Sequence, residues 1–477
     1  MKNQSIRVRF APAPTGMMHL GNIRTSLMNY LFARQKNGIF VLRIEDTDSD
    51  RNFDPGAVKI QEDLKWLGLT VDEGPCKNEL YGPYLQSERL AIYQKNLEVL
   101  INKGFVYRCF CSAELLEQKR IRLQALGKPP RYDRACLALD EIVIQTKLKE
   151  KIPFIWRFKL NQEKTESIND LAKGSIDFEM KNFSDFPITR NDGSFTFIFA
   201  NAIDDIAMKI SHVFRGEEHI TNTACQSQLF KALDSKTPLY WHMPLLCNNQ
   251  GKKLSKKDFG FSLIDLQKDG FLAEAITNYL AIIGGGNFTK EILSLDELVQ
   301  IMPFDQLQTS GHIKYDAEKL RWINRKWIQK IEPQDFINRV LPFFKNSFEQ
   351  TVFDSIDRSI LEKFILSIKE DISTLNEAPS CLAYLFDYAN RAKSIKQEIQ
   401  TKTTFIEFLK TELPITCVKE FLEKIKAYCA HQKIHPKELY SFIRFCLTGQ
   451  EKGQGIGDIC NLLGVKEINQ RLSMLIN

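Results

Sequence analysis

The chain has 477 residues, of which 43% are hydrophobic and 26% charged, and its formal net charge is +6. These values exclude a disordered chain and are typical of a soluble globular protein with about three domains. No apolar run approaches eighteen residues, the amino terminus is polar, and eleven cysteines in so long a chain exclude a disulfide scaffold. We therefore expect a cytoplasmic protein with reduced thiols and no membrane segment.

The first element in chain order is a strand, a turn and a helix within residues 7–34. Apolar residues alternate with arginines over residues 6–10, which predicts a strand with one buried face. Prolines and a glycine then break the strand, and apolar residues at helical spacing predict a helix that begins close to His19. The mouth of a helix offers free N–H groups that suit a phosphate, to which His19 can also donate while Gly21 lets a nucleotide approach.

The residues around His19 resemble the sequence signatures of a known enzyme family. His19-Leu20-Gly21-Asn22 resembles the HIGH signature of class I aminoacyl-tRNA synthetases, and the preceding R-F-A-P-A-P-T-G resembles the start of bacterial glutamyl-tRNA synthetases. The resemblance implies ATP with Mg²⁺, L-glutamate and tRNA(Glu) as substrates, with Gly21, Asn22 and Glu218 at the nucleotide. The alternative is an arbitrary strand–helix unit with a surface histidine.

The resemblance covers nearly the full chain and implies its organisation. The fold class is α/β, a Rossmann-like catalytic domain with an inserted acceptor-binding domain, followed by an all-α anticodon-binding region and expected to be a monomer. The segments are 1–109 and 191–260 for the two catalytic halves, 110–190 for the insertion, 261–328 for a helical stem-contact region and 329–477 for the anticodon-binding domain.

A second buried strand, Phe40–Ile44, ends in acidic residues that begin with Glu45. Open α/β sheets bind ligands at the carboxyl ends of their strands. The resemblance assigns Glu45 to the α-ammonium group of the substrate, and a fixed carboxylate is a natural partner for an amino group. The alternative is an acidic turn that caps the next helix.

Three cysteines, Cys109, Cys111 and Cys136, indicate a structural zinc site in a cytosolic protein. Zinc takes four ligands, and some related enzymes supply a histidine at the place of Ala138. A related arrangement uses a tyrosine four residues before the last cysteine, which is Tyr132 here. The alternative is a set of buried free thiols. Basic residues between the cysteines fit an insertion that meets the acceptor end of tRNA.

The sheet is predicted to resume at Phe195–Asn201 and again after residue 210. The resemblance places the amino-acid pocket in these segments and the first strand. A pocket that prefers glutamate needs a cation, and a guanidinium can bind a carboxylate through two hydrogen bonds. The alternative role for the arginines is a surface ion pair. The predicted pocket residues are Arg9, Ala11, Ala13, Glu45, Phe197, Asn201 and Arg215.

Two pocket positions depart from the family, which often has serine at Ala13 and tyrosine at Phe197. Each change removes a hydroxyl group. A neutral hydrogen bond is worth about 0.5–1.5 kcal/mol, so glutamate binding is expected to be weaker by up to about tenfold at each position.

The stretch K-L-S-K-K at residues 253–257 resembles the second class I signature, KMSKS. Its ammonium groups can neutralise the charge that grows on departing pyrophosphate. We expect Lys253 and Lys256 to contact ATP and, with His19, to form the catalytic set. The alternative is an exposed basic loop.

Helical patterns dominate after residue 263. Members that accept only tRNA(Glu) often have arginine before a Y-L-F triplet, and Ala383 occupies that place here. Loss of a base-reading guanidinium would relax discrimination, so an enzyme that also charges tRNA(Gln) with glutamate stays open. A glutamine-activating enzyme is disfavoured because its family shows P-P-E-P-N-G where this chain has A-P-A-P-T-G, and a catalytically silent tRNA-binding relative is the remote alternative.

Overall fold

The computed structural model describes residues 5–14, 16–47, 54–75, 77, 80–254, 260, 262–283, 285, 288–306, 311–354 and 356–476. The chain divides into two compact units, Met1–Ile264 with Thr277–Ala317 and Asp265–Ile276 with Glu318–Asn477. The first unit mixes strands and helices, whereas the regular structure described for the second is wholly helical.

The described strands are β1 (Arg7–Phe10), β2 (Ile39–Leu42), β3 (Val106–Cys109), β4 (Ile155–Phe158), β5 (Thr165–Asp170), β6 (Gly174–Glu179), β7 (His212–Gly216), β8 (Leu239–Met243), β9 (Leu246–Cys247) and β10 (Ile313–Lys314). The described α-helices are α1 (Leu20–Gln35), α2 (Val58–Trp66), α3 (Leu90–Asn102), α4 (Ala113–Ala125), α5 (Glu141–Lys149), α6 (Phe197–Ala207), α7 (Ile220–Ala232), α8 (Leu263–Lys268), α9 (Ala273–Ile282), α10 (Leu295–Ile301), α11 (Ala317–Lys330), α12 (Pro333–Ser347), α13 (Gln350–Asp354), α14 (Arg358–Ser367), α15 (Ala378–Cys381), α16 (Tyr388–Ile399), α17 (Thr403–Glu412), α18 (Val418–Gln432), α19 (Pro436–Thr448) and α20 (Ile456–Ile476).

Two sheets form the centre of the first unit. In one, β1 pairs in parallel with β2; in the other, β8 lies in parallel between β5 and β7, and β6 is antiparallel to β5. The backbone N–H of Ser211 donates to the carbonyl of Arg7 at 2.9 Å, which brings β1 beside the start of β7. The carboxyl ends of β1, β2, β7 and β8 therefore meet at one edge, where such sheets bind ligands. The predicted Rossmann-like α/β fold is confirmed.

The prediction that β1 buries only one face is wrong, because all four of its residues are buried. Arg7 and Arg9 are only 6% and 3% exposed. Burial is tolerated because each guanidinium meets a carboxylate: Arg7 donates two hydrogen bonds of 2.7 Å to Glu73, and Arg9 donates to Asp205. The alternation of apolar residues and arginines is a local signal, so it could not reveal carboxylate partners that are distant in the sequence.

The prediction that Phe195–Asn201 continues the sheet is also wrong, since α6 begins at Phe197. Aromatic residues at alternate positions favour a strand with one buried and one exposed face. This segment packs on both sides, so the alternation does not distinguish a strand from a helix here. Phe199 stacks on Phe195 with ring centroids 5.2 Å apart, and Tyr93 donates from its hydroxyl to Asp204 at 2.9 Å. These contacts stabilise the helix.

The other predicted elements are confirmed. The helix expected near His19 is α1, the second strand is β2, and the alternation after residue 155 is β4. In the second unit the predicted helical stretches correspond to α14, α17, α18 and α19, and buried apolar side chains from α16 to α20 form a common core. Across the described residues, no helix combines the length and apolarity that a membrane span requires.

Candidate active site

A cavity of about 420 Å³ opens at the carboxyl edge of the sheet. Its walls come from the ends of β1, β2, β7 and β8 and from the starts of α1 and α6. All twelve described residues that the sequence assigned to ATP or to the amino acid line it. They are Arg9, Ala11, Ala13, His19, Gly21, Asn22, Glu45, Phe197, Asn201, Arg215, Glu218 and Lys253. Lys256, the thirteenth, lies outside the described residues.

His19 caps the first helix with its side chain. Its Nδ1 accepts hydrogen bonds from the backbone N–H groups of Gly21 (3.1 Å) and Asn22 (3.3 Å), while the Asn22 side chain accepts from the His19 backbone N–H at 3.3 Å. The expectation that these N–H groups are free for a phosphate is therefore wrong. Because Nδ1 is an acceptor, the ring proton of the neutral histidine is on Nε2.

Burial, and then the charge of Lys253, lowers the pKa of His19. The imidazole is thus neutral near pH 7, with Nε2–H as a fixed hydrogen-bond donor inside the cavity. Gly21 lies against this ring, and a Cβ there would be 3.0 Å from two ring atoms of His19. A larger residue would therefore require the imidazole to shift by a few tenths of an ångström.

A buried network of ion pairs supports the floor of the cavity. Arg43 contacts Asp205 at 2.6 Å and Glu45 at 3.3 Å. Three arginines and three acids pair with one another in this network, Arg9, Arg43 and Arg89 with Glu45, Asp204 and Asp205. Its formal charges therefore cancel, as buried ionic groups require.

Arg215, at the end of β7, is not one of the paired charges of this network. Its Nη2 donates to Thr223 at 2.5 Å and to Gln226 at 2.8 Å, both neutral groups. Among the residues that the structure describes, no carboxylate lies within 4.0 Å of its guanidinium, and its Nε makes no hydrogen bond. Burial lowers the pKa of Arg215 to about 10, which still leaves it protonated at pH 7.

Only one carboxylate oxygen of Glu45 accepts hydrogen bonds from the described residues. Its Oε1 accepts from Asn201 at 2.6 Å and from Arg43 at 3.3 Å, whereas no described residue donates a hydrogen bond to Oε2. Burial raises the pKa of Glu45, although the charge of Arg43 opposes this effect. The helical form of α6 places Asn201 and Asp205 four residues apart on one face, so both contact this network.

The other end of the cavity carries Glu218 and Lys253, whose charged groups lie 3.8 Å apart and are 41% and 63% exposed at the side chain. The Glu218 carboxylate folds back over Gly216, where a Cβ would lie 2.0 Å from its Oε2. Glycine at this position lets the Glu218 carboxylate lie here, and a larger residue would displace that side chain. Sequence reasoning missed this contact.

Arg24 is a second residue that sequence reasoning missed. It lines the cavity, is 3% exposed and donates from Nη1 to the carbonyl of Pro244 at 2.9 Å. The bond fixes the chain just before β9. Arg24 follows His19 by five residues on α1, but its partner is 220 residues away, so no local pattern could identify the contact.

Phe197 and Ala13 line the cavity with apolar side chains. The Phe197 ring lies 5.6 Å from the ring of His219, whose Nδ1 is 3.1 Å from the Asn222 amide. Burial lowers the pKa of His219 to about 4. The imidazole is therefore neutral and adds no charge to the cavity.

The three cysteines of the insertion come together around Tyr132. The sulfur atoms of Cys109, Cys111 and Cys136 lie within 4.8 Å of one another, with Cys111 and Cys136 separated by 3.6 Å. The Tyr132 hydroxyl is 3.4 Å from the Cys109 sulfur and 3.9 Å from that of Cys111. The guanidinium of Arg157 lies 4.3 Å from the tyrosine ring centroid.

In the second unit, Ala383 begins a short 3-10 turn and is 6% exposed. Neighbouring Tyr384 is also buried and donates to Gln454 at 2.8 Å. The position is thus packed against its own unit.

Comparison with known proteins gives two family matches. Residues 5–322 match the model described as tRNA synthetases class I (E and Q), catalytic domain, and residues 335–476 match that of an anticodon binding domain. A glutamate–tRNA ligase of Carboxydothermus hydrogenoformans is 36% identical over 481 residues, covering 99% of this chain and 100% of the relative. One from Sulfurihydrogenibium sp. is 35% identical, with coverage of 98% and 99%.

The fold is also similar to solved structures. The glutamate tRNA ligase of Elizabethkingia meningosepticum, solved with its amino acid, superimposes with a TM-score of 0.85 at 28% identity and covers 99% of each chain. The glutamate–tRNA synthetase of Elizabethkingia anophelis gives a TM-score of 0.84 at 29% identity, covering 99% of this chain and all of the other.

Proposed function

Because the chain belongs to the class I aminoacyl-tRNA synthetases of the glutamate and glutamine type, we propose that it is a glutamate–tRNA ligase. It activates L-glutamate with ATP to glutamyl-adenylate and transfers the glutamyl group to the 3′ end of tRNA(Glu). Aminoacyl-tRNA synthetases use ATP together with Mg²⁺, which binds phosphate oxygens.

The observation that carries the choice of amino acid is the unpaired charge of Arg215. A buried cation without a counter-ion costs several kcal/mol, and a bound carboxylate offsets this cost. Arg9 lines the same cavity, and its Nη atoms donate no hydrogen bond to the described residues. The two guanidinium groups can bind the side-chain carboxylate of glutamate, while Oε2 of Glu45 accepts from the α-ammonium group.

The first step needs no protein nucleophile. The α-carboxylate of glutamate attacks the α-phosphorus of ATP, a new C–O–P bond forms and pyrophosphate leaves with the electron pair of the broken P–O bond. His19 donates from Nε2 to a phosphoryl oxygen, and Lys253 and Lys256 neutralise charge on the departing pyrophosphate. Positioning and charge stabilisation supply most of the acceleration in such phosphoryl chemistry.

In the second step a ribose hydroxyl at the 3′ end of tRNA attacks the carbonyl of the anhydride, and AMP leaves. We assign the insertion at 110–190 to the acceptor end, 261–328 to the stem and 329–477 to the anticodon, in a monomeric enzyme. The family match over residues 335–476 supports the last assignment.

The reaction is tested by ATP–pyrophosphate exchange with glutamate, glutamine or aspartate, each with and without tRNA(Glu). We expect exchange with glutamate, and less than about 1% of that rate with glutamine, because a carboxylate paired with a buried cation is worth about 3 kcal/mol. Exchange with glutamine alone would contradict the amino-acid assignment. No exchange under any condition would favour a silent tRNA-binding relative.

Restoring the hydroxyl groups at the amino-acid end is expected to strengthen substrate binding. Ala13→Ser and Phe197→Tyr should each lower KM for glutamate by up to about tenfold, since each can add one neutral hydrogen bond. KM for ATP should not change. Steady-state exchange measures both constants, and Ala13→Val and Phe197→Leu serve as controls that change size without adding a donor. An equal improvement in the controls would contradict the assignment.

A second proposal concerns tRNA specificity, namely that the enzyme also charges tRNA(Gln) with glutamate. We propose it because Ala383 lacks the guanidinium that restricts some relatives to tRNA(Glu). Aminoacylation of separate tRNA(Glu) and tRNA(Gln) transcripts with glutamate tests it: product on both supports relaxed specificity, and product on tRNA(Glu) alone contradicts it.

We also propose a structural Zn²⁺ held by Cys109, Cys111, Cys136 and Tyr132. Tetrahedral zinc with Zn–S distances near 2.3 Å requires sulfur–sulfur distances of about 3.8 Å, and the observed 3.6 Å fits. Burial opposes ionisation of the Cys109 thiol, but hydrogen bonds with Tyr132 and Arg157 outweigh it and lower its pKa, whereas burial and the hydrogen bond with Cys136 raise the pKa of Cys111 to about 12. The nearby Arg157 can offset the negative charge of a thiolate-rich zinc site.

Elemental analysis of the purified protein is expected to find about one zinc per chain. Cys136→Ser should lose it, and Tyr132→Phe, which removes a proposed ligand, should weaken zinc binding by at least the roughly 10–100-fold that loss of a group supporting a ligand costs. Cys417→Ser, outside the cluster, should retain the metal. Equal zinc content in Cys136→Ser and Cys417→Ser would contradict this site.

A further inference from the structure

Three residues behind Arg215 form a buried row that does not line the cavity. Asp170 ends β5, His242 lies on β8 and Thr223 lies on α7, with exposures of 4%, 1% and 0%. Nothing in the sequence analysis singled them out, and none of them can touch the substrate directly. Their contacts nevertheless end on Arg215, the cation to which the carboxylate of glutamate is assigned.

The hydrogen bonds along this row have a defined direction. Oδ2 of Asp170 is 2.8 Å from His242 Nδ1, and a carboxylate can only accept, so Nδ1 carries the proton. Burial lowers the pKa of His242 although Asp170 acts in the opposite direction, and the ring is therefore neutral. A neutral ring protonated at Nδ1 can only accept at Nε2, so the Thr223 hydroxyl donates to Nε2 at 2.7 Å in preference to the His219 carbonyl at 3.1 Å. Thr223 Oγ1 in turn accepts from Arg215 Nη2 at 2.5 Å.

The network continues from Arg215 to the other end of the amino-acid pocket. Gln226 accepts from Arg215 at 2.8 Å and donates from its amide to Asn201 Oδ1 at 2.9 Å. Asn201 then donates to Glu45 at 2.6 Å. One chain of hydrogen bonds thus joins the group assigned to the substrate's side-chain carboxylate with the group assigned to its ammonium.

We propose that Asp170, His242 and Thr223 are positioning residues that orient the Arg215 guanidinium and so set the affinity for an acidic amino acid. This inference rests on the proposed function. Arg215 has no carboxylate in contact with it among the described residues, and Asp170 is the acid at the far end of its hydrogen-bonded row. A guanidinium that is fixed through Nη2 is held in one orientation before the substrate binds, whereas an untethered one loses binding free energy to ordering.

If these three residues served only to hold β5, β8 and α7 together, their substitution would lower the stability of the fold and would not act on glutamate binding alone. The test therefore measures glutamate binding, ATP binding and folding separately. Thr223→Val removes the hydroxyl while keeping the shape. We expect KM for glutamate, measured by exchange with tRNA(Glu) present, to rise at least tenfold and KM for ATP to stay within twofold. Thr223→Ser should restore most of the affinity. Thr448→Val, a buried threonine of the second unit, should leave both constants unchanged.

A second pair of variants keeps the inference testable if Thr223→Val fails to fold. The amide of His242→Gln can reach the position of Nε2 and bond Thr223, whereas that of His242→Asn can reach only Asp170. Gln should therefore retain lower KM for glutamate than Asn, by about fivefold or more. Equal values in the two variants would overturn the proposal, as would equal rises of both KM values in Thr223→Val or an unchanged KM for glutamate.

Arg215→Met separates this inference from the proposed function. If wild-type protein shows glutamate-dependent exchange and Arg215→Met loses it while Thr223→Val does not, the row is structural only and the proposed function stands. If wild-type protein shows no exchange with glutamate, the proposed function itself fails.

Discussion

Arg215→Met is expected to lower kcat/KM for glutamate by about 10²–10³ without a comparable loss of stability. Removing one partner of a buried charge pair costs about 2–5 kcal/mol of binding, and the missing partner here is the substrate carboxylate. An arginine paired within the fold would instead lower the free energy of unfolding by about 3–5 kcal/mol when removed. Because Arg215 meets only neutral groups, its removal relieves an uncompensated buried charge.

The measurement combines exchange kinetics with urea unfolding of the same variant. Arg34→Met is the matched control, since Arg34 pairs with Asp72 at the partly exposed end of α1 and should leave kcat/KM within about twofold. A large loss of stability with intact activity in Arg215→Met would assign Arg215 to the fold and remove the basis for glutamate selectivity.

The second large effect is expected at His19, whose ring both caps α1 and is proposed to donate a hydrogen bond to a phosphoryl oxygen. His19→Ala should lower kcat by about 10²–10³, the usual loss for a donor aimed at developing charge. It should also lower the free energy of unfolding by about 0.5–2 kcal/mol, because the cap of α1 is lost. His19→Asn keeps a good capping side chain but has no donor at the position of Nε2.

We therefore expect His19→Asn to be as slow as His19→Ala and nearly as stable as the wild type. Exchange rates under saturating substrates and urea unfolding curves separate the two tasks. If His19→Asn kept more than about a tenth of the wild-type kcat, the histidine would be a helix cap alone.

Sequence reasoning located the main parts of the site because the relevant motifs are local. The turn before α1, the acids after β2 and the end of β7 each carry their signal within a few residues, and the site residues that were predicted in them line one cavity. The same reasoning failed where a partner is distant. Arg9 is buried because it meets Asp205, 196 residues later, and nothing near Arg9 announces this pairing.

Two further failures have physical causes of the same kind. The aromatic stretch at α6 has strand propensity, but tertiary packing on both sides selects a helix, which then presents Asn201 and Asp205 together. The N–H groups at the mouth of α1 looked available, yet the histidine expected to bind phosphate occupies them. The row from Asp170 to Thr223 was invisible because its members belong to three separate elements.

The most direct test of the account is a crystal structure with a non-hydrolysable glutamyl-adenylate analogue. We expect the glutamyl carboxylate within hydrogen-bond distance of Arg215 and Arg9, the ammonium group on Glu45 Oε2, and His19 Nε2 near a non-bridging oxygen of the phosphate or its replacement. An analogue bound with its carboxylate away from both arginines, or with its nucleoside on the opposite side of the sheet from His19, would contradict it.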